Sequence, residues 1–141
     1  MTKILIDTDV ILDFLFDRQP FSDNSAEILS LCESKKINGY VTSIIISNVY
    51  YLLKKTAKHE KVIESLKSLL SILDILTTDK DTIIMALNSS FKDFEDALQN
   101  YSAETNSEIQ IIVTQNTKDY KNSVLSVMTP DSYLKTMIAS R

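Results

Sequence analysis

One glycine, one cysteine, one histidine, two prolines and no tryptophan are spread over 141 residues, and each scarcity rules something out. A single glycine cannot build the glycine-rich loop that cradles phosphates in nucleotide-binding proteins. Cys32, alone, permits neither an intrachain disulfide nor a thiolate zinc cage, a usage that fits a reducing cytoplasm. It reads as a small buried helix residue facing the core. His59 has no second histidine with which to form a triad or zinc site, and its neighbours Lys58, Glu60 and Lys61 mark it as a solvated residue near a helix start. No apolar stretch approaches the ~20 residues that span a bilayer. The opening Met-Thr-Lys-Ile-Leu-Ile-Asp carries no long apolar segment of a signal peptide, so a soluble, cytoplasmic protein without membrane contact is expected. Positive charge is also short. Fifteen Lys and Arg face 19 Asp and Glu, for a net charge of -4 and a pI near 4.9. Such a surface does not hold polyanions by long-range attraction, so any nucleic acid must be gripped locally.

What is present suffices for one core: 44% of residues are hydrophobic, enough for a chain of this length without disulfides or a structural metal. No internal repeat, low-complexity tract or Pro/Gly/Ser-rich linker interrupts it, so residues 1–141 are expected to form a single domain. The run Lys3 to Ile6 stops at polar Asp7-Thr8-Asp9, after which Val10, Ile11, Phe14 and Leu15 recur with helical spacing. A second helix is predicted from a Ser22 or Asp23 cap, stopped by Gly39. Tyr40-Val41-Thr42 reads as strand two, Ser43 as the cap of a helix to about Ala57, and His59 to Leu73 as another helix. Ile75-Leu76-Thr77 is strand three, followed by a helix capped at Thr78 or Asp79 and another beginning near Asp93. Ile109 to Val113 is strand four, residues 124–127 a weak fifth strand at an edge, and Thr129-Pro130-Asp131 the start of the last helix. Strands separated this regularly by helices call for an α/β fold, a parallel sheet of four to five strands with helices on both faces, and ligands beyond the carboxyl ends of the strands.

Four carboxylates belong to that end. Asp7 and Asp9 follow the first strand, Asp96 opens the late helix, and Asp119 follows strand four. Acids aimed at one point repel unless protons or a cation intervene, so their convergence suggests a divalent-metal site. On the late helix, Phe94, Ala97, Leu98 and Tyr101 define an apolar face expected to pack on the sheet. Asp93, Asp96 and Asn100 share one flank within about 60°, with Glu95 and Gln99 on the opposite flank. Asp93 and Asp96 can thus aim at a common point and Glu95 is not expected to; alternatively Asp93 is an N-cap and Asp96 a first-turn acid. On the Ser43 helix, Asn48 falls inside the face made by Ile44, Ile45, Tyr51 and Leu52. It either ties the helix to a strand-end backbone group or orients an aspartate or a bound water. Mg²⁺ or Mn²⁺, which favour oxygen ligands and keep several waters, need only a few such acids, and two ions of this kind suit phosphodiester hydrolysis. Lys54, Lys55, Lys58, Lys61 and Lys67 form either a solvated face or a rim that grips a phosphate backbone. Tyr50, Tyr51 and Tyr120 are candidates for base stacking, although core or interface packing suits them better.

Three blocks carry a family resemblance: Ile4-Leu5-Ile6-Asp7-Thr8-Asp9-Val10-Ile11-Leu12-Asp13, Asp93-Phe94-Glu95-Asp96-Ala97-Leu98-Gln99, and Ile112-Val113-Thr114-Gln115-Asn116-Thr117-Lys118-Asp119-Tyr120. In order and spacing they resemble the signature blocks of the PIN domain, nearest to small bacterial members related to VapC toxins. The resemblance spans nearly the whole chain, including Met128-Thr129-Pro130 before the last helix. It implies a three-layer α/β fold, a Mg²⁺- or Mn²⁺-dependent endoribonuclease acting on RNA, an antitoxin partner and a homodimer. By it, Asp7, Asp96 and Asp119 are the catalytic, metal-binding acids. Asp9 stands where the family commonly has Asn, and so either adds a ligand or keeps a turn hydrogen bond. Thr114 and Asn116 match polar residues lining the site. Asn48 departs from the pattern, occupying a position where many PIN nucleases carry Glu, and Asp93 is a candidate to replace the missing charge.

Three other readings are open. A catalytically weakened PIN domain would bind RNA or an antitoxin without turnover. A haloacid-dehalogenase-like phosphatase would use Asp7-Thr8-Asp9 with Lys80, in a chain short for that fold. A receiver domain would need an acceptor such as Asp79 and a lysine such as Lys118, which match it only loosely.

Overall fold

The computed structural model describes residues 1–106 and 108–139. Five strands, β1 (Lys3–Ile6), β2 (Asn38–Thr42), β3 (Asp74–Leu76), β4 (Ile111–Val113) and β5 (Ser126–Met128), form one sheet in the order β3-β2-β1-β4-β5, and every neighbouring pair is parallel. Among the described residues, seven helices accompany the strands: α1 (Thr8–Leu15), α2 (Ser22–Glu33), α3 (Ser43–Lys54), α4 (His59–Leu70), α5 (Lys80–Leu87), α6 (Phe94–Glu104) and α7 (Pro130–Ala139), with a 3₁₀ turn at Thr117–Tyr120. Ile4, Leu5 and Ile6 are all fully buried. Because successive strand residues point to opposite faces, this means that helices cover both sides of the sheet. The expected α/β architecture is what forms, and the weak fifth strand does pair at an edge. Among the described residues, no helix is long and apolar enough to cross a membrane.

The chain runs outward from β1 through β2 to β3, then crosses back to lay β4 and β5 on the other side of β1. The order therefore reverses between β1 and β4, and the crevice outside their carboxyl ends is where open sheets of this kind bind ligands. Ile6 pairs with Val113 in that register, so the next residues, Asp7 and Thr114, emerge side by side. The edge position of β3 sets Asp79 two strands away from β1, where it caps α5 by accepting from the Thr82 amide. That placement removes the receiver-type reading. Lys80 opens the same peripheral helix.

Several local expectations are corrected. Gly39 does not stop α2, which ends at Glu33 with Lys35 taking the left-handed turn (φ 61°). The glycine lies in β2 opposite Ile4, where a Cβ would come within 2.6 Å of Cys32 Sγ and 2.8 Å of Leu73 Cδ2. It is required by the close approach of α2 to the sheet. Cys32 is buried there, and burial pushes its thiol up to about 12. Neither Ser22 nor Asp23 caps α2, since both lie inside it. Thr42 rather than Ser43 caps α3, accepting from the Ile45 amide at 3.2 Å. α3 ends at Lys54 and α4 at Leu70, both short of their expected ends.

The buried stripe of α3 is Ile45, Val49 and Leu53, which turns Tyr51 into solvent and leaves Asn48 half-buried on the flank. On α6, Ala97 and Leu98 cluster with Ala86, Phe91, Ile44 and Tyr101. This face packs against α5 and α3 rather than the sheet, and Phe94 is exposed. Gln99, Asn100, Ser102 and Ala103 are buried in its place.

Candidate metal centre

Asp7 ends β1 and caps α1, and both of its oxygens are engaged. Oδ1 accepts from the Thr8 amide at 2.8 Å, and Oδ2 accepts from the Thr114 hydroxyl at 2.9 Å and the Tyr120 hydroxyl at 3.2 Å. Its position at the strand end is set by its own amide, which donates to the Val113 carbonyl at 3.0 Å. Burial raises its pKa against the pull of these donors, and nearby Asp119 adds to the rise.

Asp9, in the first turn of α1, ties that turn to the loop after β4. Its Oδ2 accepts from the Gln115 amide at 3.0 Å and from Asn116 Nδ2 at 3.1 Å, with the Thr114 hydroxyl at 3.3 Å. Asn116 in turn donates its amide to Thr114 Oγ1 at 3.1 Å. Among the described residues, the second oxygen of Asp9 is buried without a hydrogen-bond partner. Burial, and then repulsion from Asp7, push Asp9 up to about 7.

Asp96 reaches the same place from α6. Its Oδ1 lies 3.4 Å from the Tyr120 hydroxyl, whose single proton serves one carboxylate at a time. Burial, then Asp7, Asp93 and Asp119, raise Asp96 to about 7. Tyr120 itself is fully buried between the acids, and burial and their charges hold its phenol well above the usual range. Its ring packs in the core, as expected, rather than standing free for base stacking, and its hydroxyl is a hydrogen-bond donor placed between two acids.

Asp7, Asp9, Asn48, Glu95, Asp96 and Asn116 line one cleft of about 490 Å³. Asp93, Asp96 and Asp119 line a second of about 630 Å³, together with Lys92, Lys118 and Lys121. Asp96 is the wall they share. Asp93 does cap α6, its Oδ1 accepting from the Asp96 amide at 3.0 Å, and it faces the Asp119 side. Asn48 donates through Nδ2 to Glu95 Oε2 at 3.0 Å, which places Glu95 in the cleft from which the helix-flank argument had excluded it. The error lay in the assumed sheet-facing side: with residues 99 and 103 buried, positions 95 and 96 both reach the crevice. Of the five clustered lysines only Lys55 lines the acidic cleft, beside Arg18, which also pairs with Asp13 at 3.6 Å. His59 is exposed at the first position of α4, hydrogen-bonded to Tyr50.

The donors in this crevice are carboxylate, amide and hydroxyl oxygens, without histidine or thiolate. Acids pushed up by burial and mutual repulsion, one of them with an unpartnered buried oxygen, suit a hard divalent cation such as Mg²⁺ or Mn²⁺. Among the described residues, no three acids close around a point tightly enough to hold an ion as they stand. Side chains would have to turn inward for one to bind, as repelling carboxylates do when a cation enters.

Residues 3–118 match the PIN domain family. The chain is 26% identical over 136 residues to ribonuclease VapC1 of Aquifex aeolicus, covering 93% of this chain and 92% of the relative. Its fold is similar to that in the VapBC2 structure of Rickettsia felis bound to a promoter DNA fragment, at a TM-score of 0.67 and 18% identity over 90% of this chain and 97% of the other. It is also similar to VapC20 of Mycobacterium tuberculosis, described as a sarcin-ricin loop cleaving toxin, at 0.59 and 15% over 77% and 86%.

Proposed function

The chain belongs to the PIN domain family, and from that premise we propose that it is a Mg²⁺- or Mn²⁺-dependent endoribonuclease of the VapC toxin type. The observation that carries the reading is the pairing of Asp7 and Asp96 across one buried tyrosine hydroxyl, at the point where strand order reverses. Asp7, Asp96 and Asp119 are the proposed ion-binding acids. Asp9 and Asp93 stand beside them, and Asn48, Thr114 and Asn116 support them. When bound, a divalent ion of this class acidifies a water and balances charge on the oxygen that leaves phosphorus.

The chain's own residues set the geometry. Asp7 is fixed by three donors and presents its remaining lone pairs from a nearly immobile position. Asp96, held by one longer contact, has the freedom to adjust. Thr114 and Asn116 lock the β4 loop onto Asp9, which keeps the following turn, and Asp119 on it, against the strand ends. Lys55 and Arg18 on one side, and Lys92, Lys118 and Lys121 on the other, supply local positive charge for an RNA backbone that the net charge of -4 would repel.

The partners proposed are an RNA substrate, an antitoxin protein and a second copy of the chain, in the cytoplasm. Support for the antitoxin is the fold similarity to a chain of the VapBC2 structure. Support for the homodimer is the apolar surface that α5 leaves exposed at Ile84, Met85 and Leu87. The deciding test is cleavage of single-stranded RNA with Mn²⁺ by wild type, Asp7→Asn and Asp96→Asn. Cleavage by wild type and its loss in both variants is expected. Equal background in all three would favour the other reading, a PIN domain that binds without turnover. That reading draws on Asn48, which is neutral, and on acids that do not close around an ion as they stand.

A further inference from the structure

Glu95 is held toward the acids of the cleft by a side chain from another helix. Its helix could let an exposed carboxylate point into water, away from Asp7, Asp9 and Asp96. It lines their cleft instead, held at 3.0 Å by the side-chain amide of Asn48 on α3. A neutral amide orients a carboxylate without discharging it. Among the described residues, no cation pairs with Glu95. The result is a carboxylate held in place in the cleft that Asp7, Asp9 and Asp96 line, already oriented for a cation that enters there.

We propose that Glu95, oriented by Asn48, is a ligand of the divalent ion that Asp7 and Asp96 bind, directly or through an ion-bound water. The inference rests on the function proposed above and deepens it. Residues 95, 96 and 99 of α6 all line the cleft, so Glu95 and Asp96 present adjacent carboxylates from one helical turn. Asp93 is the weaker candidate for this role, because one of its oxygens already accepts from the Asp96 amide in capping α6, whereas Glu95 lines the same cleft as Asp7. Glu95 is exposed and has one more rotatable bond than an aspartate. It therefore has the reach to turn inward that an ion here would require. Asn48 acts as a positioning residue and contributes no charge of its own.

The test is titration of the metal-free protein with Mn²⁺, followed by calorimetry and by the spin-resonance signal of the free ion. The proteins compared are wild type, Glu95→Gln, Asp96→Asn and, as a control for general loss of negative charge, Glu64→Gln on the exposed side of α4. Glu95→Gln is expected to bind Mn²⁺ about tenfold or more weakly, Asp96→Asn more weakly still, and Glu64→Gln like wild type. All three should melt no lower than wild type without metal. Wild-type affinity in Glu95→Gln, with affinity lost in Asp96→Asn, would overturn the assignment and leave the centre standing. An equal loss in Glu64→Gln and Glu95→Gln would also overturn it, because the effect would then be one of overall charge. If wild type takes up no Mn²⁺, the centre and the assignment fall together.

Discussion

Tyr120 donates its buried hydroxyl to Oδ2 of Asp7 at 3.2 Å, joining two residues 113 positions apart. The same hydroxyl lies 3.4 Å from Asp96. One proton between two carboxylates lowers their repulsion only while the hydroxyl is there. A hydrogen bond to a charged group contributes about 1.5–3 kcal/mol, and Asp7 keeps two other donors. Tyr120→Phe is therefore expected to destabilise the metal-free protein by about 1.5 kcal/mol, the low end of that range, in denaturant unfolding. It should also weaken Mn²⁺ binding, because Asp7 and Asp96 are then free to separate. Unchanged stability together with unchanged ion affinity would show the hydroxyl to be a bystander.

The raised acids make a prediction about pH. Asp9 and Asp96 stand at about 7 in the folded protein against an ordinary 3.8, and Asp7 is raised as well. The folded state thus keeps protons that the unfolded chain releases near pH 4. This contribution to stability is complete below about 3.8 and is lost as pH rises through about 7. Lowered acids such as Asp79 act in the opposite sense, so the informative quantity is a difference between variants. Melting curves without metal should show Asp96→Asn gaining on wild type between pH 5 and pH 8. Added Mn²⁺ at pH 8 should raise the wild-type melting temperature and leave Asp96→Asn nearly unmoved. A gap between the two proteins that does not vary with pH would contradict the raised value for Asp96.

Sequence reading found the acids that end apolar runs, because a strand buried on both faces must stop where a charge appears. Ile4 to Ile6 before Asp7 is such a case, and Ile111 to Val113 likewise stops at polar Thr114, five residues before Asp119. It failed where burial is polar. Gln99, Asn100 and Ser102 face inward on α6 because each meets a polar partner: the Thr42 hydroxyl donates to Gln99 Oε1 at 2.6 Å, Asn100 Nδ2 donates to Glu104 at 2.6 Å, and Thr78 and Ser102 pair at 2.7 Å. Two of these three partners come from distant elements, so the pattern of apolar residues in α6 points to the wrong face. Glu95 was lost with that face. Tyr120 was hidden for a related reason, since its role depends on two carboxylates 113 and 24 residues away.

Asp9 distinguishes a ligand from a structural tie. Its Oδ2 collects donors from Gln115 and Asn116, while the other oxygen is buried without a partner. An asparagine can present one carbonyl oxygen to the same donors and removes a charge that Asp7 repels. Asp9→Asn is expected to melt higher than wild type at pH 8 without metal, and to lose far less Mn²⁺ affinity than Asp7→Asn. A loss of affinity equal to that of Asp7→Asn in calorimetric titration would make Asp9 an ion ligand instead.

Gly39 offers a test of packing that leaves the crevice alone. It lies toward the start of β2, at the opposite end of the strand from Thr42, and a Cβ there would meet Cys32 Sγ at 2.6 Å, Leu73 Cδ2 at 2.8 Å and Ile6 Cδ1 at 3.0 Å. Overpacking of this kind costs about 1–3 kcal/mol, so Gly39→Ala should lower stability by that order in denaturant unfolding. The closest contact is the Cys32 sulfur. Cys32→Ala removes it and opens room for the new methyl, so the two substitutions should couple, the double variant costing about 1 kcal/mol less than the sum of the singles. Mn²⁺ affinity should be the same in all of these proteins, since none of the three contacting side chains belongs to the acidic cleft. Additive costs in the double-mutant cycle would place the strain on Leu73 and Ile6 rather than on the approach of α2 to the sheet.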